Sequence, residues 1–149
     1  MSKLKWMLLL AALAITACGK EDPQIIYTPP VLADDWSVGM TQSGGIMGLL
    51  RHIATGSDGK YAVSDERDGR SVAGELSQEQ LTRLKGLVSS LQFTAPKLPT
   101  VCADCFIYDI EIQSGGKKLI LQADDISLPD SGMAPLVEFL RDLMDSALQ

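Results

Sequence analysis

The chain has 149 residues, 46% of them apolar and 21% charged, with 13 Lys and Arg against 19 Asp and Glu. That length suits one domain with one modest core. The net charge of −6 excludes non-specific nucleic-acid binding, because affinity for phosphate comes from clustered Lys and Arg.

Lys3 and Lys5 make a short basic start, and Trp6 to Ala14 is wholly apolar. A membrane span needs roughly 20 such residues, so this run predicts a secretory signal instead. Its end, Ile15-Thr16-Ala17-Cys18, resembles the lipobox of bacterial lipoprotein precursors. The resemblance implies cleavage after residue 17 and lipidation of Cys18, whose acyl chains contribute about 0.8 kcal/mol per buried CH2 and hold the protein on the membrane. Gly19 and Lys20 follow, rather than the aspartate that retains lipoproteins in an inner membrane. The expected address is therefore the cell envelope, on the periplasmic face of the outer membrane if the host has two. Loss of Lys3 and Lys5 leaves 11 basic against 19 acidic residues, a mature charge of −8.

Residues 18–35 read as a lipidated cysteine and a flexible tether, since Pro23, Pro29 and Pro30 disfavour regular structure. Ile25, Ile26 and Tyr27 interrupt the polar run and offer a short edge strand or docking segment. Residues 36–149 form the expected folded domain. Trp36, Val38 and Met40 alternate along a first strand, Ser43-Gly44-Gly45 turns the chain, and Ile46 to Thr55 makes a second strand. The inward face of that second strand is ambiguous, because Met47, Leu49 and Ile53 compete with Ile46 and Leu50. Ser57-Asp58-Gly59-Lys60 signals a hairpin into Tyr61-Ala62-Val63, and a further turn leads to Ser71-Val72-Ala73.

Ser77-Gln78-Glu79-Gln80 fits a capping box, and Leu81, Leu84, Leu87, Val88 and Leu91 follow at helical spacing. Pro96 and Pro99 end that helix and open a loop bearing Cys102 and Cys105. Phe106, Tyr108, Ile110 and Ile112 then alternate with Ile107, Asp109, Glu111 and Gln113, a strand that Ser114-Gly115-Gly116 turns into Lys117 to Ala123. An acidic loop, Asp124 to Gly132, precedes a last helix over about Ala134 to Ala147 with Leu136, Val137, Leu140, Leu143 and Met144 as its apolar stripe. About four strands, a helix, a hairpin and a C-terminal helix describe one small α+β domain with an antiparallel sheet.

Cys102-Ala103-Asp104-Cys105 has the spacing of a thioredoxin-like centre, but that chemistry needs the first cysteine at a helix N-terminus, and this pair leads into a strand. With Cys18 lipidated, two thiols remain in an oxidising compartment, which favours a structural disulfide. A zinc site would need two more ligands, and the single histidine, His52, is remote in sequence. Asp124, Asp125 and Asp130 lack the alternating ligands of a calcium loop and read as a solvated acidic loop. No nucleophile signature is present. The expectation is thus of a non-enzyme without metal or cofactor, with Trp36 and the leucine stripes as core.

The order Ser43-Gly44-Gly45-Ile46-Met47-Gly48, then Gly74-Glu75-Leu76-Ser77, then Asp104-Cys105-Phe106-Ile107-Tyr108-Asp109-Ile110 resembles the emfourin family over about Trp36 to Leu143. These are small bacterial proteins whose founding member inhibits protealysin, a thermolysin-like metalloprotease. The resemblance implies a compact inhibitor domain of cystatin-like appearance that presses its N-terminal segment and neighbouring loops into a protease cleft. On this chain it points to Asp35, Trp36, Ser43, Gly44 and Gly45 as partner-binding residues, with the Cys102 to Cys105 loop as a further candidate. Two expectations follow: an anchored lipoprotein that binds a protein partner in the envelope, and, as a special case, an inhibitor of a metalloprotease.

Overall fold

The computed structural model describes residues 25–96 and 102–149. The expected signal segment and Cys18 lie outside the described residues. Among those described, eight strands and three helices form one small α+β domain with antiparallel sheets.

The first of these strands, β1 (Ile26–Tyr27), pairs with β6 (Phe93–Thr94) in a two-stranded ladder. The main sheet has six strands: β2 (Ser37–Gly44), β3 (Leu49–Gly56), β4 (Lys60–Asp65), β5 (Arg70–Glu75), β7 (Phe106–Ser114) and β8 (Lys117–Asp124). Their spatial order is β5-β4-β3-β2-β7-β8, every pair antiparallel. A meander of four strands is thus laid down first, and the β7–β8 hairpin returns to pair with its oldest member. Between the two runs lies α1 (Gln78–Ser90), and after β8 come the short α2 (Leu128–Ser131) and the longer α3 (Ala134–Ala147).

The two-residue periodicity of a strand decides which face is buried. Val38 and Met40 of β2, Ile53 of β3, Val63 of β4, and Tyr108, Ile110 and Ile112 of β7 all point to one side, where they meet Leu84 and Val88 of α1 and Leu136, Val137, Leu140 and Met144 of α3. Helix α1 starts where the capping box places it: the Ser77 N–H donates to Gln80 Oε1 at 2.9 Å and the Gln80 N–H donates to Ser77 Oγ at 3.2 Å. These two bonds satisfy donors that a bare helix end leaves unpaired. No helix among the described residues is long and apolar enough to cross a membrane.

Two expectations are corrected and one ambiguity is resolved. The second strand starts at Leu49, not Ile46, because Gly45 and Gly48 both take positive φ and carry Ile46 and Met47 around the turn between β2 and β3. The ambiguity of its faces resolves in favour of Ile53 and its odd-numbered neighbours. The tether reading of residues 18–35 does not hold from residue 26 onward, where the short strand offered at Ile25 to Tyr27 forms and the residues after it are docked. Ile26 and Tyr27 are strand-paired, Ser114 Oγ accepts from the Ala33 N–H at 2.7 Å and donates to the Val31 carbonyl at 3.3 Å, and Asp35 Oδ1 accepts from the Gly115 N–H at 3.0 Å. The chain is docked from Ile26 onward because its backbone groups find partners on β6 and at the β7–β8 turn.

Candidate functional site

Three features of the domain are candidates for function, and each is built by the sheet. The first is the tip of the β2–β3 hairpin. Ser43, Gly44 and Gly45 stand beside the start of β7, in register Ser43 to Ile107 and Gly44 to Phe106. The Gly45 N–H donates to the Cys105 carbonyl at 3.1 Å. A side chain at Gly44 would put its Cβ 2.5 Å from that same carbonyl oxygen, and one at Gly45 would meet the Phe106 ring at 2.6 Å. Glycine is needed at both positions for this close approach as well as for their φ of 96° and 70°.

Cys102 and Cys105 are joined, their Cα atoms 5.4 Å apart and within the range that a disulfide spans. The bond therefore closes the loop on which the hairpin tip leans. Since the ring encloses only two residues, the chain-entropy account gives it under about 2 kcal/mol of global stability. Exchanging both cysteines for serine is expected to cost less than that in urea unfolding, while the Gly45 amide exchanges its hydrogen about tenfold faster as its acceptor loosens. A collapse of the whole fold would contradict this local role.

Above that support the tip presents apolar groups to solvent: Ile46 is 85% exposed and Met47 66%. Leu50 and Ile107 flank Ser43 across the strands and are also exposed, so one cross-strand row carries Leu50, Ser43 and Ile107 on the face away from the helices. The Arg67 guanidinium braces the turn by donating from Nη1 to the Met47 carbonyl at 2.9 Å.

The second feature is the rest of that open face. Cross-strand register places Ile120, Glu111, Gly39, Ala54, Ala62 and Ala73 in one row, and Gln122, Asp109, Thr41, His52, Ser64 and Ser71 in the next. Gly39, Ala54 and Ala62, three small residues in a line, leave a shallow, open depression of about 510 Å³. Its polar edge is fixed: Thr41 Oγ1 and His52 Nδ1 are 2.9 Å apart, Gln122 donates to Asp109 at 2.7 Å, and Lys118 pairs with Glu111 at 2.7 Å. The Lys118 ammonium, with help from Gln113, holds the Glu111 carboxyl below its usual range. A hydroxyl and an imidazole within hydrogen-bond reach are two parts of a nucleophilic set. Among the described residues the His52 ring is bonded only to Thr41, so no third group orients the imidazole, and the neighbouring Asp109 is bonded to Gln122 instead.

The third feature is a polar network under α3. Asp65 is 3% exposed and accepts from Arg51 Nε at 2.7 Å and from the N–H groups of Arg67 and Asp68; Arg51 reaches on to Asp145 of α3 at 3.1 Å. The Arg51 guanidinium holds the Asp65 carboxyl below its usual range against the opposing effect of burial. Tyr108 donates to Asp125 at 3.1 Å, and burial first, then the Asp125 charge, pushes its phenol up. Asp125 also accepts from the Phe106 N–H at 2.7 Å, and Asp124 Oδ1 accepts from the N–H groups of Ile126 and Ser127. The Ser127 N–H is the main cause of a lowered Asp124 carboxyl. Two of the three carboxylates read as solvated are thus bonded internally and shape the loop.

The partner-binding residues expected from sequence are split by the fold. Ser43, Gly44 and Gly45 come together with the Cys102–Cys105 loop at the tip. Asp35 and Trp36 lie at the other end of β2, roughly 24 Å away at the rise of an extended strand. Trp36 is 3% exposed and belongs to the core, so its ring presents no surface to a partner. Ile46, Met47, Leu50 and Ile107 all carry a strand-like pattern in sequence, which hides them as binding groups. The glycines on either side of Ile46-Met47 were the available signal. A scan against protein-family models finds no match for the chain, and a search of curated proteins finds no relative.

Proposed function

We propose that this chain is a lipid-anchored envelope protein without enzymatic activity that binds another protein through the β2–β3 hairpin tip and the adjoining open sheet face. The observation that carries the reading is the apolar tip: Ile46 and Met47 are held out in solvent by a turn that the Cys102–Cys105 loop, Phe106 and Arg67 all brace. A braced tip loses little ordering entropy on binding, which raises affinity for a given contact area. The lipobox resemblance supports the anchor at Cys18. Replacing Ile46 and Met47 with aspartate is expected to leave stability within about 0.5 kcal/mol, as for exposed positions generally, and to abolish partner capture. Retention of the partner by this double variant would refute the tip as the site.

A second reading is favoured by the motif order that resembles the emfourins and by the exposed apolar residues of the same tip: inhibition of a thermolysin-like metalloprotease. Titrating a soluble form that begins at Lys20 against the host's enzyme of that class separates the two. Saturable, stoichiometric inhibition selects the inhibitor, and full activity at large excess leaves a partner of another kind.

A further inference from the structure

The docked segment ahead of β2 has a surface that neither the core nor the hairpin tip explains. Ile25 is 63% exposed, Ile26 57%, Tyr27 42% and Val31 95%. From Ile25 to Ala33 no residue is charged, in a mature chain whose net charge is −8. Ile25 stands seven positions after Cys18, a length of chain that spans at most about 25 Å. Resting on the lipid-anchor reading, we propose that Ile25, Ile26, Tyr27 and Val31 form a lipid-contacting patch that lays this end of the domain against the headgroup layer of the membrane.

The chemistry fits a bilayer interface. Aliphatic side chains and one tyrosine are the groups that partition there, with the phenol at headgroup level. The backbone of Ile26 and Tyr27 is strand-paired with Thr94 and Phe93, which lowers the cost of taking its polar groups out of water. Tyr27 also packs on the Phe93 ring at 6.2 Å between centroids, and Phe93 is a core residue, so the patch is fixed to the domain. Little intrinsic affinity is required. An anchor within about 25 Å makes the encounter intramolecular, at an effective concentration in the millimolar range. Val31 is bonded to Ser114 beside the β7–β8 turn, at the end of β2 opposite Ile46 and Met47, so lipid contact at Val31 holds that end of the sheet at the membrane.

Trp36 is the one tryptophan of the mature chain and is buried, so it adds a background common to every variant, and the emission beyond wild type reports the added tryptophan. The lipidated protein, carrying Ile26→Trp, Val31→Trp or Met47→Trp, is reconstituted into zwitterionic vesicles with bromine-labelled acyl chains. The expected result is at least about twofold quenching at positions 26 and 31, with position 47 unaffected. Equal quenching at all three positions, each measured against unbrominated vesicles, in protein that floats with the vesicles overturns the patch and leaves the anchor intact; a protein covering these side chains would give that outcome. A wild-type chain that takes up no labelled lipid in cells and fails to float contradicts the anchor itself.

Discussion

Replacing Gly132 with alanine is expected to destabilise the domain by about 3 kcal/mol, a fall in midpoint temperature of roughly 10 °C for a domain of this size. Gly132 ends α2 at φ 78°, a left-handed conformation that costs an ordinary residue about 1–2 kcal/mol. The larger cause is space. A Cβ here would overlap the Gln92 carbonyl, in the short stretch between α1 and β6. Its neighbour Met133 is fully buried and caps α3, so relief by movement would drag the start of α3 away from the core. Asparagine tolerates this φ better than alanine but carries the same Cβ, so Gly132→Asn should recover less than half the loss. Thermal unfolding of both variants is the measurement, and an alanine variant within about 1 kcal/mol of wild type would refute the close approach.

Asp65→Asn should cost about 2 kcal/mol and alter the response to acid. The buried carboxylate joins β4 to Arg51, and through it to Asp145 of α3. Removing its charge leaves the guanidinium with only the exposed partner, and breaking such a pair costs more than making it gains. The folded protein also holds the Asp65, Glu111 and Asp124 carboxyls below their ordinary values. Each therefore takes up a proton more readily in the unfolded chain. Their contribution is fully present above the unfolded carboxylate range near pH 4 and is lost as pH falls through it toward the lower folded values. Urea midpoints at pH 7 and pH 3.5 should differ strongly in wild type and less in Asp65→Asn. Equal acid sensitivity in the two would show that Asp65 is not a main source of the slope.

Much of this architecture is legible before any coordinates, and the parts that are not share a cause. The alternation from Phe106 to Ile112, the capping box at Ser77 and the stripe from Leu136 to Met144 are local patterns, and each appears in the fold as read. What local pattern leaves open is register. Ile46-Met47-Gly48-Leu49-Leu50 has the composition of a strand, yet the positive φ of Gly45 and Gly48 bends its first half into a turn. The line of Gly39, Ala54, Ala62 and Ala73 exists only after three strand pairs are aligned. Asp35 and Ser43 look like neighbours in sequence, but an extended strand between them puts them at opposite ends of the sheet. Asp125 reads as a loop charge until its backbone donor, Phe106 on β7, is placed beside it, whereas the donors to Asp124, Ile126 and Ser127, follow it directly in the loop.

The central claim is that the hairpin tip meets a protein partner while the chain is anchored. A photo-crosslinking side chain at Met47, compared with one at Lys85 on the exposed side of α1, tests it in intact cells that make the full-length chain. The account predicts one discrete adduct from Met47 that is absent from Lys85 and disappears when Ile46 becomes aspartate. No adduct from Met47 above the level seen at Lys85 would contradict it.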